Sequence, residues 1–172
     1  MTELPSDILD LAKDVLLAAK AGSKRIATAE SCTGGLIAGC LTAIPGSSAS
    51  FEGGVVTYSN ESKVSLLGVP RDAIADNGAV SDVVASAMAE GALAACGADV
   101  AISVTGIAGP GGGTKTKPVG LVYMALAQTG RDALVKRYVF AGTRTDVRRA
   151  AVGAALELLL SALHEPLESE PA

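Results

Sequence analysis

One histidine, three cysteines and no tryptophan occur in the 172 residues. The shortage of histidine excludes most. His164 follows the last apolar helical pattern, in an acidic, proline-containing stretch, and reads as a solvated tail residue rather than a base. A Ser-His-Asp triad has no histidine to use. The cysteines, Cys32, Cys40 and Cys96, are odd in number and lack C-x-x-C spacing. That pattern offers neither a disulfide framework nor a zinc site. Aromatic residues make up 3%, too few for a platform that stacks single-stranded bases. A basic excess is missing as well: the net charge is −4, which argues against nucleic acid as a partner. No apolar run has the length of a membrane span, and the amino terminus lacks a signal-peptide pattern. The expected location is the cytoplasm, with no membrane partner.

What is present is a globular composition, 49% hydrophobic and 19% charged, at a length that suits one domain over 1–172. The apolar side chains are mostly Ala, Val and Leu, small enough for helices to lie close on a sheet. Leu4, Ile8, Leu11 and Val15 recur at helical spacing, Pro5 suits a first turn, and Gly22 ends the pattern. A strand is predicted over 25–29, then a helix to about Thr42. A strand follows over 51–58, its glycines Gly53 and Gly54 pointing to a bulge or a close backbone approach. Ser59 and Asn60 suit the cap of a helix over 61–67. Ser81 and Asp82 open another, with Val84, Met88, Gly91 and Ala95 on one face and Gly97 at its end. An unbroken apolar strand over 100–105 reads as a central sheet position. Strands over 120–127 and 134–140 form a hairpin about 129–132. Thr145 and Asp146 cap a last helix with Val147, Ala151, Ala154 and Leu158 on its apolar face, and 165–172 reads as a frayed tail. Parallel crossovers plus one hairpin predict an α/β fold, a three-layer α/β/α sandwich with a mixed sheet of about five strands.

The stretch Thr28-Ala-Glu-Ser-Cys-Thr-Gly-Gly35 joins a buried strand to an apolar helix. Free N–H groups at such a turn favour an anion or a developing oxyanion. Ser31 is therefore a candidate nucleophile, with Thr33, Gly34 and Gly35 beside it; the plainer alternative makes Ser31 or Thr33 an N-cap. Cys32 is the rival nucleophile, since a thiol at a helix N-terminus has a lowered pKa; the alternative is a small core residue. Without histidine, the base for Ser31 must be another group, and a neutral lysine can serve. Lys63 falls in the first turn of a predicted helix, where a cation opposes the helix dipole. Tyr58, just before it, could relay a proton. Against these stand a surface lysine, neutralised by Glu61, and a half-buried strand tyrosine. The glycine loop over 106–113 follows the central strand, with Thr105 at its edge, but has neither a P-loop nor a G-x-G-x-x-G fingerprint. Arg144 and Arg148, at the start of the last helix, suit either a phosphate clamp or a solvated helix start.

Three stretches taken together go further. Thr28-Ala-Glu-Ser-Cys-Thr-Gly-Gly35, then Gly54-Val-Val-Thr-Tyr-Ser-Asn-Glu-Ser-Lys63 with Leu67-Gly-Val69, then Val104-Thr-Gly-Ile-Ala-Gly-Pro-Gly-Gly-Gly113 with Lys117-Pro-Val-Gly120, resemble the CinA C-terminal domain family. The resemblance covers nearly the whole chain and suggests the single-domain form, whose members are nicotinamide mononucleotide amidohydrolases. It implies the three-layer α/β/α fold with a mixed sheet. It implies hydrolysis of the carboxamide of nicotinamide mononucleotide to nicotinate mononucleotide and ammonia, with no metal or organic cofactor. The catalytic residues it implies are a serine nucleophile at Ser31, assisted by Tyr58 and Lys63. Thr33, Gly34, Gly35, Gly53, Thr105, Gly106, Gly109 and Arg144 fall in segments around the implied nucleotide pocket. A homodimer or larger homo-oligomer is also implied. A non-catalytic nucleotide-binding or sensor module is the alternative use of the same pocket.

Overall fold

The structure is a computed structural model and describes residues 5–164. The predicted tail over 165–172 lies outside the described residues. Among the described residues six α-helices and five strands run in the order α1 (Ser6–Ala21), β1 (Ile26–Glu30), α2 (Leu36–Thr42), β2 (Phe51–Val56), α3 (Asn60–Leu67), α4 (Arg71–Asn77), α5 (Asp82–Cys96), β3 (Val100–Gly106), β4 (Leu121–Gln128), β5 (Arg131–Val139) and α6 (Arg144–His164). The sheet order is β2-β1-β3-β4-β5. β1 pairs in parallel with both β2 and β3, while β3/β4 and β4/β5 are antiparallel. This is the expected mixed five-stranded sheet with β3 at its centre. None of the described helices is long and apolar enough to cross a membrane.

Alternation along the strands assigns the two helical layers. Ile26, Val100, Ile102, Val104, Val122, Met124 and Leu126 face one way and form a core with α1, α2 and α6. Ala27, Ala29, Ala101, Ala125 and Ala127 face the other way, against α5. Alanine on that face lets α5 lie close, and Ser103 hydrogen-bonds the Ala85 carbonyl of α5 directly. Gly54 in β2 is a close approach of the kind its sequence suggests. A Cβ there would stand 2.6 Å from Thr28 Oγ1 and 2.9 Å from Ala38 Cβ, so only glycine lets α2 settle on β1 and β2. The register between these strands also shifts next to Ile26.

Several boundaries differ from expectation for local reasons. β1 begins one residue later and takes in Glu30. α3 has the expected Ser59 cap, completed by a reciprocal bond with Ser62. α4 is an additional short helix; none of its residues is buried, so no apolar period marked it. The buried face of α5 is Val84, Ala85, Met88, Ala89 and Ala92, and Ala95 is exposed. The hairpin turn is shorter than predicted, because Arg131 and Asp132 belong to β5. Thr143, not Thr145, caps α6: Asp146 accepts from the Thr143 N–H, and Thr143 Oγ1 accepts from the Asp146 N–H. Leu158 and Ala154 are only partly buried, the core face being Val147, Ala151, Ala155, Leu156 and Leu159. His164 is the last residue of α6 rather than part of a tail, and it is exposed.

Candidate active site

Three parallel strands end at one edge of the sheet, with Glu30 opposite both Val56 and Val104. Chain crossings at the carboxyl ends of parallel strands are where α/β folds hold ligands. Ser31 is the first residue beyond β1. Its N–H donates to the Val104 carbonyl at 2.9 Å, which anchors the turn to β3, and the Gly34 N–H donates to the Ser31 carbonyl at 3.1 Å, which closes it. Gly34 and Gly35 then take left-handed conformations, φ 62° and 92°, which favour glycine.

Neither Ser31 nor Thr33 caps α2; Gly35 occupies the N-cap position without a side-chain bond. The capping group is the carboxylate of Glu30, fully buried on the α2 side of β1. Glu30 Oε2 accepts from the N–H groups of Gly35 (3.0 Å) and Ile37 (3.1 Å), and Oε1 accepts from that of Ala38 (2.8 Å). The protein's own carboxylate thus fills the anion site at the start of α2. This corrects the expectation that helix-start amides are free for an oxyanion. The N–H groups of Cys32 and Thr33, one turn earlier, have no hydrogen-bond partner among the described backbone groups.

Lys63 lies in the first turn of α3, and helical side chains lean toward the helix N-terminus. That lean carries Nζ back to the Thr57 carbonyl at 2.7 Å and to Ser31 Oγ at 3.0 Å. Lys63 is 1% exposed and Ser31 9%. Burial pushes the Lys63 amine below its ordinary 10.5, with neighbouring Cys32 acting weakly the other way. Glu61 does not neutralise it, because Glu61 pairs with Arg71 at the surface. A buried, depressed lysine amine against a serine hydroxyl is an arrangement that can remove the hydroxyl proton. Cys32, by contrast, packs in the α1/α2/α6 core, and burial pushes its thiol up to about 11. Burial therefore outweighs the helix-start effect expected of it, and the thiol stays protonated near neutral pH.

Tyr58 is 63% exposed and makes no hydrogen bond to Ser31 or Lys63 among the described residues; its hydroxyl accepts from Arg144 Nη2 at 2.8 Å. Arg144 Nη1 donates to the Gly109 carbonyl at 3.0 Å, so one guanidinium links β2's end, the glycine loop and α6. Arg148, one turn further on, donates from Nε to the Cys32 carbonyl (3.1 Å) and from Nη2 to the Thr33 carbonyl (2.9 Å). Among the described residues, two buried hydroxyls, Thr33 Oγ1 and Thr57 Oγ1, have no partner. The remaining candidates are placed by packing. Thr105 Oγ1 donates to the Ala79 carbonyl at 2.8 Å, and Gly53 lies mid-strand opposite Ala27, beside Cys96. Side chains at Gly106 or Gly109 would run into Val122 or Val119. A broad groove between α1, β5 and α6, past Asp10, Leu11, Tyr138 and Glu157, contains none of these residues.

The structure brings together Ser31 and Lys63, the pair expected from sequence, and adds Glu30, which the sequence reading did not single out. Its signal was a lone acidic residue ending an apolar strand, before a helix that opens on Gly34 and Gly35 with no Ser, Thr, Asp or Asn at the cap.

A family model described as the CinA C-terminal domain matches residues 8–163. The chain is 48% identical over 154 residues to nicotinamide-nucleotide amidohydrolase PncC of Escherichia coli (strain K12), covering 90% of this chain and 93% of that protein. It is 49% identical over 152 residues to a CinA-like protein of Mycobacterium sp. (strain JLS), covering 88% of this chain but 36% of that longer one. Among solved structures, the competence/damage inducible protein CihA from Agrobacterium tumefaciens superposes with a TM-score of 0.91 at 45% identity, covering 96% of this chain and 100% of that one.

Proposed function

The chain belongs to the CinA C-terminal domain family, and we propose that it is an amidohydrolase converting nicotinamide mononucleotide to nicotinate mononucleotide and ammonia, with Ser31 as nucleophile and Lys63 as base. The observation that carries this reading is the 3.0 Å contact between Lys63 Nζ and Ser31 Oγ in a buried setting that favours the neutral amine. The name of the 48%-identical relative, a nicotinamide-nucleotide amidohydrolase, supports this substrate class.

The Lys63–Ser31 contact supports the following steps. Neutral Lys63 takes the Ser31 proton as Oγ bonds to the carboxamide carbon. The carbonyl π electrons move onto oxygen, and the N–H groups of Cys32 and Thr33 are the donors left to hold that oxyanion. When the carbonyl re-forms, the C–N bond breaks, and the Lys63 ammonium gives its proton to the departing nitrogen, which leaves as ammonia. Lys63, neutral again, takes a proton from water as the water oxygen attacks the acyl carbon; when this second tetrahedral state collapses, the C–Oγ bond breaks, Lys63 returns the proton to Ser31 Oγ, and nicotinate mononucleotide leaves. Lys63 reaches Ser31 directly, so no relay through Tyr58 is required. Tyr58 and Arg144 border the site, and the guanidinium suits the nucleotide phosphate.

Ammonia release from nicotinamide mononucleotide, measured for the wild type beside Ser31→Ala, tests the reading. The expected result is release by the wild type and a loss of at least about 10³-fold in the variant, with the nucleotide still bound. Release undiminished in Ser31→Ala would exclude the serine mechanism. Binding without release by either protein would favour a nucleotide-binding module.

A further inference from the structure

The turn that presents Ser31 is held from its carbonyl side by a cation. Arg148 reaches from α6 and donates to two successive carbonyls, those of Cys32 and Thr33. Both peptide bonds concerned are trans, since the one cis bond among the described residues is Gly109–Pro110. In a trans peptide the C=O and the following N–H point in opposite directions. Fixing the Cys32 carbonyl on Arg148 therefore aims the Thr33 N–H away from Arg148. Fixing the Thr33 carbonyl does the same for the Gly34 N–H, which meets the Ser31 carbonyl and closes the turn. On the other side, Glu30 already occupies the N–H groups of Gly35, Ile37 and Ala38. The unpaired amides beside Ser31 are then those of Cys32 and Thr33, and the direction of the second is set by where the guanidinium holds its peptide. A cation bonded to a peptide oxygen also polarises that peptide, which makes its N–H a stronger donor.

We infer that Arg148 is a positioning residue for the amidohydrolase reaction: by holding the Cys32 and Thr33 carbonyls it aims and polarises the Thr33 N–H toward the oxyanion that forms on the substrate carboxamide. The inference rests on the proposed serine mechanism. It removes Arg148 from the set of phosphate clamps and leaves that role to Arg144. Arg148 is half-buried and linked to the turn by both an Nε and an Nη donor, a forked geometry that lysine does not reproduce. The arrangement acts on the tetrahedral state, not on the ground state, so its loss lowers kcat and leaves KM in place.

The test compares wild type, Arg148→Met and Arg148→Lys, each first checked for a native circular-dichroism spectrum. Four quantities are read: kcat and KM for nicotinamide mononucleotide, the affinity of the nucleotide's pyridine-3-carboxaldehyde analogue, which adds Ser31 to form a tetrahedral adduct, and the affinity of the product nicotinate mononucleotide. Loss of one oxyanion donor lowers rates by roughly 10²–10³, and a misaimed donor by less. Arg148→Met is expected to lose about 30–100-fold in kcat and a similar factor in aldehyde affinity, with KM and product affinity within twofold. Arg148→Lys, able to reach one carbonyl, is expected to lose about tenfold in kcat. If the methionine variant does not fold, the lysine variant decides alone. A kcat within twofold of wild type, or a rise in KM with kcat unchanged, would overturn the inference. So would a fall in product affinity equal to that of the aldehyde, since that marks a general loss of the site. A wild type that neither releases ammonia nor binds the aldehyde would sink the serine mechanism itself, a result distinguishable from all of these.

Discussion

At the scale of single residues, the proposed mechanism asks Lys63 to take up a proton as a neutral amine, and burial lowers its pKa in the direction this requires. Below its pKa the amine is charged and cannot accept the Ser31 proton, so the rate should climb with pH through that pKa. Burial has moved this value below 10.5, which brings the climb toward neutrality. In Lys63→Met the rate should fall by about 10²–10⁴ and the remaining activity should lose this rise; a pH–rate profile of both proteins checks it. The same shift has a stability signature. The unfolded chain keeps its proton up to about 10.5 while the folded chain gives it up earlier, so between the two values the unfolded state binds more protons. Stability from this residue therefore rises with pH across that window, and urea unfolding of Lys63→Met should lack the rise. Ser31 and Lys63 were legible in sequence because each carries its signal locally, one at a strand-to-helix turn and one in a first helical turn. Glu30 and Arg148 were not legible to the same degree. Glu30 acts on amides five to eight residues ahead, and Arg148 on carbonyls 115 and 116 residues behind, so their partners exist only once the chain is folded.

At the scale of elements, delivery of Lys63 depends on how α3 packs on α5. Gly91 of α5 passes against the end of α3, where a Cβ would overlap the Leu67 carbonyl oxygen and stand 2.9 Å from Leu67 Cβ. Backbone atoms cannot give way as a side-chain tip can. In Gly91→Ala, α3 must shift or tilt away from α5, taking Lys63 with it. Overpacking of this kind costs about 1–3 kcal/mol. The variant should lose stability in that range by denaturant unfolding, and its kcat should drop at least about tenfold at a temperature where it is still folded, because a 1 Å misplacement costs about 10²-fold. Stability lost with kcat unchanged would show that Lys63 tolerates movement of its helix. The sequence placed Gly91 on one face of α5 with Val84 and Met88 but did not show its neighbour, since the period of a helix reports a face and not what that face meets. For the same reason α4, with no buried residue, escaped notice, while α5, β3 and the β4/β5 hairpin did not.

At the scale of the whole molecule, the site draws on elements spread along the chain. Ser31 follows β1, Lys63 stands on α3, Tyr58 follows β2, Gly109 follows β3, and Arg144 and Arg148 open α6. The α/β/α architecture was legible because apolar strands alternate with apolar-faced helices, and the hairpin showed as two strands about a short Gly-containing turn. Which loops meet at one sheet edge was not, because strand order β2-β1-β3 is a product of crossovers that composition does not encode. A ligand that spans these segments is coupled to global unfolding, since no single segment retains the site. A ligand that binds only the folded state at about 100 times its Kd adds about 2.7 kcal/mol. For a domain of this length, about 2–4 °C of melting temperature accompanies each kcal/mol, which predicts a rise of about 5–11 °C. Ser31→Ala, expected on the proposed mechanism to hold the nucleotide without consuming it, is the protein to use. Nicotinamide mononucleotide should raise its melting temperature by that amount, and free nicotinamide at equal concentration, lacking the phosphate for Arg144, by far less. Equal shifts from the two ligands would remove the phosphate contact from the account, and the substrate would then be recognised by its amide ring alone.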